Sequence, residues 1–338
     1  MKRLRVLVML HPQLQPPDSL EHCSEAQIDQ WRVEFDVLTA LRAAGHEVRV
    51  QPVLDTLTGL DAALRGWRPQ VVFNLLEEFD GAVVHEPHLV AHLELLGQAY
   101  TGCNPRGLML ARDKVLAKQL LRGAGIATPD WIVAARGVLP PLPPALRFPL
   151  IVKSASDDAS LGLAQASVVR DRAQLRARVR LMHRQHHCDA LIEEYIDGRE
   201  LYVGVLGGAR PRALPVWELQ FGTLPARMVR IATRRIKWDR AYQRSRGIGP
   251  QRAPLDPRLA QRVQSAALQV WRTLRLSGLA RIDFRLAADG ALYVLEANPN
   301  PNIARIEDFA ASAAAAGIDY AALIAHLLRA AQRSAATA

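Results

Sequence analysis

The chain has 338 residues, of which 49% are apolar and 22% are charged. This length exceeds what one compact core usually supports and predicts two or three subdomains. Lys and Arg number 43 against 33 Asp and Glu, a formal charge of +10. A basic excess can serve an acidic partner, but the sequence has no clustered basic tract with interleaved aromatic residues, so nucleic acid is not the favoured partner.

The spacing of the cysteines and the hydropathy of the chain indicate the cellular compartment of the protein. Cys23, Cys103 and Cys188 are widely separated and have neither metal-binding nor redox spacing. This pattern argues against a disulfide framework and favours a reducing cytoplasm. The apolar run after the first residues is short, and no stretch approaches the roughly 20 apolar residues of a membrane span. We therefore expect a cytoplasmic protein without a membrane partner.

The first third of the chain alternates between strand-like and helix-like patterns. Apolar runs and helical spacing predict strands at 4–10, 48–53 and 71–76 and helices at 26–44 and 87–97. A strand–helix–strand order of this kind is typical of a doubly wound α/β domain. We assign residues 1–112 to such a domain.

Two further units are expected, over residues 113–192 and 193–338. The second unit contains a predicted helix at 113–123 and strands at 149–153 and 191–196. The third contains a strand, a long helix, a hairpin and an Ala-rich helical tail broken at Gly317, which we place at 201–206, 258–276, 280–286 with 291–295, and 309–336. The fold class is therefore α/β, with α+β character in the second and third units.

The hairpin carries an all-oxygen cluster. Asp283 and Glu296 lie on two strands joined by a short turn and can sit side by side, and Asn298 shares the face of Glu296 if its strand continues. Such ligands suit Mg²⁺ or Mn²⁺ held between carboxylates and phosphates. Arg281 shares the face of Asp283 and could neutralise a phosphate or an oxyanion. The alternative is a surface hairpin with ordinary charges.

The hairpin sequence also resembles a known family. Arg281-Ile-Asp283-Phe, the turn, and Tyr293-Val-Leu-Glu296-Ala-Asn298 are similar to the metal-binding segment of ATP-grasp enzymes, most closely of the D-alanine–D-alanine ligase family. Further matches follow the family's order and spacing from about residue 95 to the C-terminus: Leu96–Gly102, Asp113-Lys114, Lys153, Glu193–Ile196 and Glu200. The resemblance implies an ATP-grasp fold of three subdomains.

The resemblance also implies roles for individual residues. Lys114 and Lys153 would bind the phosphates of ATP, together with a loop of small residues that includes Ser160. The adenine would contact Glu193, Glu194 and Ile196, and Glu200 would accept from the ribose hydroxyls. Two Mg²⁺ or Mn²⁺ ions would be bound by Asp283, Glu296 and Asn298.

A basic segment at 231–238 falls where the family has a mobile loop that closes over the nucleotide. Lys237 would contact the γ-phosphate region, with Arg281 as the second catalytic residue, and Trp238 would occupy the loop's aromatic position. A solvated basic loop and a nucleic-acid-binding arm are the other interpretations of this segment.

The N-terminal domain departs from the family pattern. The segment after the first strand has neither the family's glycines nor its ammonium-binding glutamate, and Asn302 replaces a glycine near the second amino acid. We therefore expect an ATP-dependent carboxylate–amine ligase with small-molecule substrates other than two D-alanines, contacted by Glu77, Glu78 and Asn302. The alternatives are D-alanine–D-alanine ligase itself and a non-catalytic ATP-binding protein. The resemblance also raises the prospect of a homodimer.

Overall fold

A computed structural model of the chain describes residues 2–155, 163–225 and 228–337, with only the backbone at Trp238 and 334–337. The predicted Ser160 contact therefore lies outside the described residues. Three β-sheets organise the described part of the chain, and helices pack against each of them. The expected arrangement of an α/β domain followed by two largely antiparallel units is confirmed.

The first sheet is parallel, with strand order β2-β1-β3. Its elements are β1 (Arg5–Leu10), α1 (Glu25–Ala43), β2 (Glu47–Pro52), α2 (Thr58–Trp67), β3 (Val71–Asn74) and α3 (Glu86–Leu95). Alternate residues of β1 face opposite sides: Val6 and Val8 pack with α1, while Leu7 and Met9 pack with α2 and α3. Helices therefore cover both faces, and the predicted doubly wound domain is confirmed.

Two short helices connect the first sheet to the rest of the chain. These are α4 (Pro105–Arg112), capped by Asn104, and α5 (Lys114–Gly123), capped by Asp113, whose side chain accepts from the backbone N–H of Leu116. Both helices bury their apolar sides against the third sheet. The cap at Asp113 starts α5 so that Lys114 and Lys118 share one face of the helix.

The second sheet is antiparallel, in the order β4-β7-β5-β6. It consists of β4 (Trp131–Ala134), β5 (Leu150–Ser154), β6 (Val168–Val169) and β7 (Ala190–Glu194), with α6 (Arg172–Gln185) packed on one face. The expected junction between residues 192 and 193 falls inside β7. Glu193 and Glu194 remain paired with β5, so the second unit continues beyond the predicted boundary.

The third sheet follows the order β11-β10-β8-β12-β13, with β9 beside β8. The corresponding elements are β8 (Arg199–Leu206), β9 (Arg212–Ala213), β10 (Trp217–Gln220), α7 (Arg234–Trp238), α8 (Arg240–Arg246), β11 (Gly249–Arg252), α9 (Pro257–Thr273), β12 (Leu279–Leu286) and β13 (Leu292–Asn298). All its pairings are antiparallel. Helix α9 covers the apolar face, which leaves the opposite face of β12 for polar side chains.

The C-terminal tail forms α10 (Asp308–Ala315) and α11 (Tyr320–Thr337), interrupted as predicted at Gly317, whose φ is +79°. We expected this tail to belong to the third unit, but Leu323 and Leu327 of α11 pack with α1 in the first domain. No single helix in the described ranges is long and apolar enough to span a membrane. Helices α10 and α11 pass that test only as a pair, which is bent by 98°.

Candidate active site

The hairpin of β12 and β13 brings the predicted metal ligands together. Asp283 is directly opposite Glu296, and Arg281 is directly opposite Asn298. Asp283 is buried, with 3% of its surface exposed. Residues that are distant in the sequence are therefore side by side on adjacent strands.

A β-bulge explains how Glu296 reaches this face. Strict alternation would place Glu296 on the same side as Val294, which packs in the core with Ile282. The register shifts between Asp283 and Phe284, so that Phe284 pairs with Val294 and Leu295 becomes the extra residue. Because of this insertion, Val294 and Ala297 both point into the core, and Glu296 turns toward Asp283.

Arg281 is bound on three sides. Its Nε and Nη2 atoms donate to the two carboxylate oxygens of Asp283 at 2.7 and 2.9 Å, and its Nη1 donates to Asp308 at 3.3 Å. The guanidinium also lies 4.6 Å from the ring centroid of Tyr202. Burial would lower the pKa of Arg281, but the two carboxylates outweigh burial and raise it. The arginine is therefore fixed and charged beside the predicted metal ligands.

The two facing carboxylates have opposite pKa shifts. Burial raises the pKa of Asp283 to about 6, and the neighbouring Glu296 charge adds to this increase against the effect of Arg281. Burial also disfavours ionised Glu296, but the positive charges of Lys237 and Lys114, together with Lys153 and Arg281, lower its pKa. Four cations therefore surround Glu296, as a site for phosphates and carboxylates requires.

The oxygen set fits a magnesium-type ion. Two carboxylates and the Asn298 amide are hard ligands, and Asn298 Oδ1 accepts from the backbone N–H of Asn300 at 2.9 Å, which fixes its orientation. No group of three or more His, Cys, Asp or Glu side chains that could hold a metal occurs within the described ranges. Magnesium commonly uses only one or two protein carboxylates and completes its coordination with water and phosphate oxygens.

A buried ion triad lies on the second sheet and α5. Glu193 is 1% exposed and binds Lys118 at 2.5 Å and Lys153 at 2.7 Å. Burial alone would raise the pKa of Glu193, but the two lysines lower it to about 2. Lys118 also contacts Thr128 Oγ1 at 2.5 Å. Glu193, expected near the adenine amino group, thus holds Lys118 and Lys153 in place.

A second buried pair lies at the expected ribose position. Arg285 Nη2 donates to Glu200 at 2.9 Å, and the Tyr202 hydroxyl donates to the other oxygen of Glu200 at 2.8 Å. Arg285 also donates to the backbone oxygens of Gly198 and Arg230 at 3.1 Å. Glu200 therefore has two fixed side-chain donors, and its contact with a ribose remains a prediction.

The remaining predicted nucleotide residues lie around these groups. Glu194 ends β7, and its backbone N–H donates to the backbone oxygen of Asp130 at 2.9 Å; Ile196, two residues later, is half-buried. Lys114 begins α5 and Lys237 lies in α7, and both are close enough to Glu296 to lower its pKa. Trp238 ends α7, and its side chain lies outside the described atoms.

The expected substrate residues follow strands of the first and third sheets. Glu77 is exposed after β3, Glu78 is half-buried with an oxygen 3.8 Å from His11 Nε2, and Asn302 Oδ1 accepts from the backbone N–H of Ala304 at 2.9 Å. Glu86, fully buried in α3, accepts from both Arg112 and Asn300. This contact joins the first domain to the segment that follows β13.

Several site residues were not predicted from the sequence: Lys118, Tyr202, Arg285 and Asp308. Two signals were available. Lys118 follows Lys114 by four residues on a helix, and Arg285 continues the alternation of Arg281 and Asp283 along β12. The sequence around Tyr202 and Asp308 does not indicate that they belong to the site, because their partner Arg281 is distant in the sequence.

Comparison with known proteins identifies the family. Residues 120–329 match the family model described as D-ala D-ala ligase C-terminus. The chain is 33% identical over 294 residues to a D-alanine–D-alanine ligase of Nitratidesulfovibrio vulgaris, covering 86% of this chain and 88% of that protein. It is also 32% identical over 315 residues to the uncharacterized protein y4sG of Sinorhizobium fredii, covering 90% and 88%.

Solved structures show the same fold. The D-alanine–D-alanine ligase of Bacillus anthracis complexed with ATP superimposes with a TM-score of 0.75 at 23% identity, covering 99% of both chains. The Coxiella burnetii enzyme gives 0.70 at 18% identity, covering 100% of this chain and 96% of that one. Together with the sequence matches, these findings show that the chain belongs to the D-alanine–D-alanine ligase family and is an ATP-dependent ligase of the ATP-grasp type.

Proposed function

We propose that this ligase joins a small carboxylate to a small amine by phosphorylating the carboxylate with ATP and releasing ADP and phosphate. The observation that carries the proposal is the pairing of Asp283 with Glu296 in the middle of four cations. A carboxylate does not acylate an amine at neutral pH because its leaving group is oxide. Transfer of the γ-phosphoryl group to the carboxylate oxygen gives an acylphosphate, and the amine then attacks the acyl carbon and displaces phosphate.

The chain's cations fit the charges in this reaction. Lys114 and Lys153 bind phosphate oxygens, and Lys237 approaches from α7, which lies where the resembling family has a mobile loop. Arg281, already held by Asp283 and Asp308, presents a fixed guanidinium where negative charge develops during amine attack. A preorganised donor stabilises such charge without reorienting during the reaction.

Mg²⁺ or Mn²⁺, as one or two ions, would be held by Asp283, Glu296 and Asn298. When bound, the metal would neutralise the β- and γ-phosphate oxygens of ATP. Glu296, whose pKa is lowered, is the carboxylate that is ionised most readily for this purpose.

The substrates need not be those of the named relatives. The Nitratidesulfovibrio vulgaris protein carries D-alanine in its name, and D-alanine is therefore one candidate here. The segment after the first strand lacks the family's glycines and ammonium-binding glutamate, while the chain keeps the residues that we expect to contact ATP and the metal. A pocket built for a small zwitterion tolerates such losses poorly, because an unmatched buried charge is costly. We therefore propose altered amino-acid specificity.

The test is ADP formation with a panel of carboxylates and amines, followed by mass measurement of the products. We expect a condensation product lighter by one water than its two substrates, with ADP and phosphate formed in equal amounts. Turnover with D-alanine alone would refute the altered specificity. Absence of ADP formation with every pair, while ATP still binds, would refute ligation and support the non-catalytic alternative.

A further inference from the structure

One aromatic side chain, Tyr202 on β8, lies between two groups of the candidate active site. Its hydroxyl donates to Glu200 Oε1 at 2.8 Å, and its ring centroid lies 4.6 Å from the guanidinium of Arg281. Glu200 is the residue that we expect to contact the ribose, and Arg281 is the residue that we expect to act during amine attack. Tyr202 therefore contacts a nucleotide-binding group and a catalytic group at the same time.

The strand register explains how Tyr202 reaches both groups. Leu201 packs in the core that α9 covers, so the alternation of β8 turns Glu200 and Tyr202 to the opposite face of the sheet. Asp283 on β12 is directly opposite Tyr202, which makes Arg281, two residues before Asp283, a diagonal neighbour of the ring. Long and aromatic side chains span such a diagonal. The contact between the ring and the guanidinium thus follows from the pairing of two buried strands.

Tyr202 is itself held in place by the sheet and by α7. Only 6% of its surface is exposed. Trp217 is its direct neighbour on β10, and Trp217 and Ile236 of α7 belong to the same buried cluster as the tyrosine ring. Protein interiors are close-packed, so a ring enclosed in this way has little freedom to move. Tyr202 is therefore able to fix the orientation of the groups that it contacts.

The hydroxyl of Tyr202 determines which way Glu200 points. An ionised carboxylate accepts about four hydrogen bonds. Tyr202 donates to one oxygen of Glu200, and Arg285 Nη2 donates to the other at 2.9 Å. About two acceptor positions remain for a ligand, and the two hydroxyls of a ribose supply as many donors. Because both protein donors fix the plane of the carboxylate, they also fix the direction of these remaining positions.

The ring of Tyr202 restricts the guanidinium of Arg281. Within the described ranges, three of the five N–H groups of Arg281 donate to the protein, two of them to Asp283 and one to Asp308. These contacts hold the guanidinium within its own plane, and the ring covers one of its faces. The guanidinium therefore cannot tilt toward the ring, and its other two N–H groups keep a constant direction.

We propose that Tyr202 is a positioning residue of the ligase, whose hydroxyl directs Glu200 toward the ribose hydroxyls and whose ring holds Arg281 in the orientation needed during amine attack. The two effects depend on different atoms of one side chain. Phenylalanine removes the hydroxyl and keeps the ring, whereas leucine removes both. The effect on Arg281 rests on the proposed ligase function, whereas the effect on Glu200 requires only that the protein bind a nucleotide.

The experiment compares Tyr202→Phe and Tyr202→Leu with the wild type in two measurements. Calorimetric titration in the presence of Mg²⁺ with ADP, and with dideoxy-ADP that lacks both ribose hydroxyls, measures ribose recognition without turnover. Steady-state kinetics with the substrate pair found in the panel measure kcat. The matched controls are Tyr320→Phe and Tyr320→Leu, because the ring of Tyr320 also lies against an arginine, 4.2 Å from the guanidinium of Arg305. Thermal unfolding of every variant verifies that the fold is retained.

We expect the wild type to bind ADP more tightly than dideoxy-ADP. Tyr202→Phe should weaken ADP binding by roughly tenfold, the usual effect of losing a hydrogen bond to a charged group, with little change in dideoxy-ADP binding or in kcat. Tyr202→Leu should show the same weaker ADP binding and should also lower kcat by roughly tenfold, because a buried contact between a cation and a ring is lost. Both Tyr320 variants should keep the preference for ADP and the wild-type kcat.

Three results would overturn the proposal. Tyr202→Phe that weakens both nucleotides equally would show a structural role only, and a wild type that binds both equally would show that Glu200 does not contact the ribose. Equal kcat values in Tyr202→Leu and Tyr202→Phe would refute the role of the ring. Because the titrations involve no turnover, the outcome for Glu200 is independent of whether a product forms.

Discussion

Asp283 and Glu296 lie directly opposite each other on two adjacent antiparallel strands, although they are thirteen positions apart in the sequence. A one-residue bulge at Leu295 immediately precedes Glu296 in its strand. The bulge matters because it lets Glu296 leave the core side of β13 without removing Val294 or Ala297 from the core. A carboxylate that we propose as a metal ligand and an intact hydrophobic face thereby coexist on one strand.

Glu296→Gln should abolish turnover while leaving the fold intact. The amide keeps the shape of the side chain but removes the charge that four cations surround. We expect kcat to fall by about a hundredfold or more, as for other losses of electrostatic stabilisation at reacting phosphates, with weaker Mg²⁺-dependent ATP binding. Steady-state kinetics across Mg²⁺ concentrations checks this. Full activity would refute the metal assignment; Glu21→Gln serves as the charge-matched control.

Lys237→Ala should impair ATP use without unfolding the protein. Lys237 is half-buried on a short helix, yet of the neighbouring charges it does most to lower the pKa of Glu296. We expect kcat/KM for ATP to fall by roughly a hundredfold. The control is Arg234→Ala, which removes an exposed charge from the same helix. Equal losses in both variants would indicate a general electrostatic effect and contradict a direct contact of Lys237 with phosphate.

Lys118→Met should destabilise the protein through Glu193. The variant leaves a fully buried carboxylate with one lysine instead of two, and breaking a buried pair costs about 3 kcal/mol. Adding Glu193→Gln should recover part of that loss, because the unmatched charge is then gone. Urea unfolding of the two single variants and the double variant gives the coupling. Purely additive free energies of unfolding would contradict the ion triad.

Glu34→Gln should stabilise the protein at alkaline pH and have little effect in acid. Burial and the nearby Glu77 charge raise the pKa of Glu34 from 4.5 to about 7. Between these values the folded state binds more protons than the unfolded state, so the free energy of unfolding falls as pH rises. Above pH 7 the wild type should therefore be less stable than the variant by about 3 kcal/mol. Urea unfolding at pH 4.5 and pH 8 measures the difference, and an equal difference at both pH values would contradict the shifted pKa.

Much of the fold was predictable because its strongest patterns are local. The apolar run of β1, the helix ending at Gly45 and the hairpin were located within a few residues. Helix α6 was missed because its buried side consists mainly of Leu175, Val179 and Met182 within a strongly basic segment. Helix α2 was missed because Leu57 at its start provides no side-chain cap.

The sequence allowed many of the site residues to be predicted, but not the contacts that these residues make with one another. The family pattern identified Asp283 and Glu296, yet simple alternation would have placed Glu296 beside Val294, and only the strand register shows the bulge. Lys118 and Glu34 were missed for a common reason. Their roles depend on groups brought close by the tertiary fold, Glu193 for the lysine and Glu77 for the carboxylate.

The central claim is activation of a carboxylate by phosphoryl transfer, and oxygen-18 transfer tests it most directly. The carboxylate substrate found in the panel is labelled in both oxygens, and phosphate, nucleotide and product are analysed by mass after turnover. Formation of an acylphosphate leaves one labelled oxygen in the amide and transfers the other to the released phosphate, with unlabelled ADP as the nucleotide product. Label in AMP, or phosphate that contains no label although the amide forms, would contradict this account.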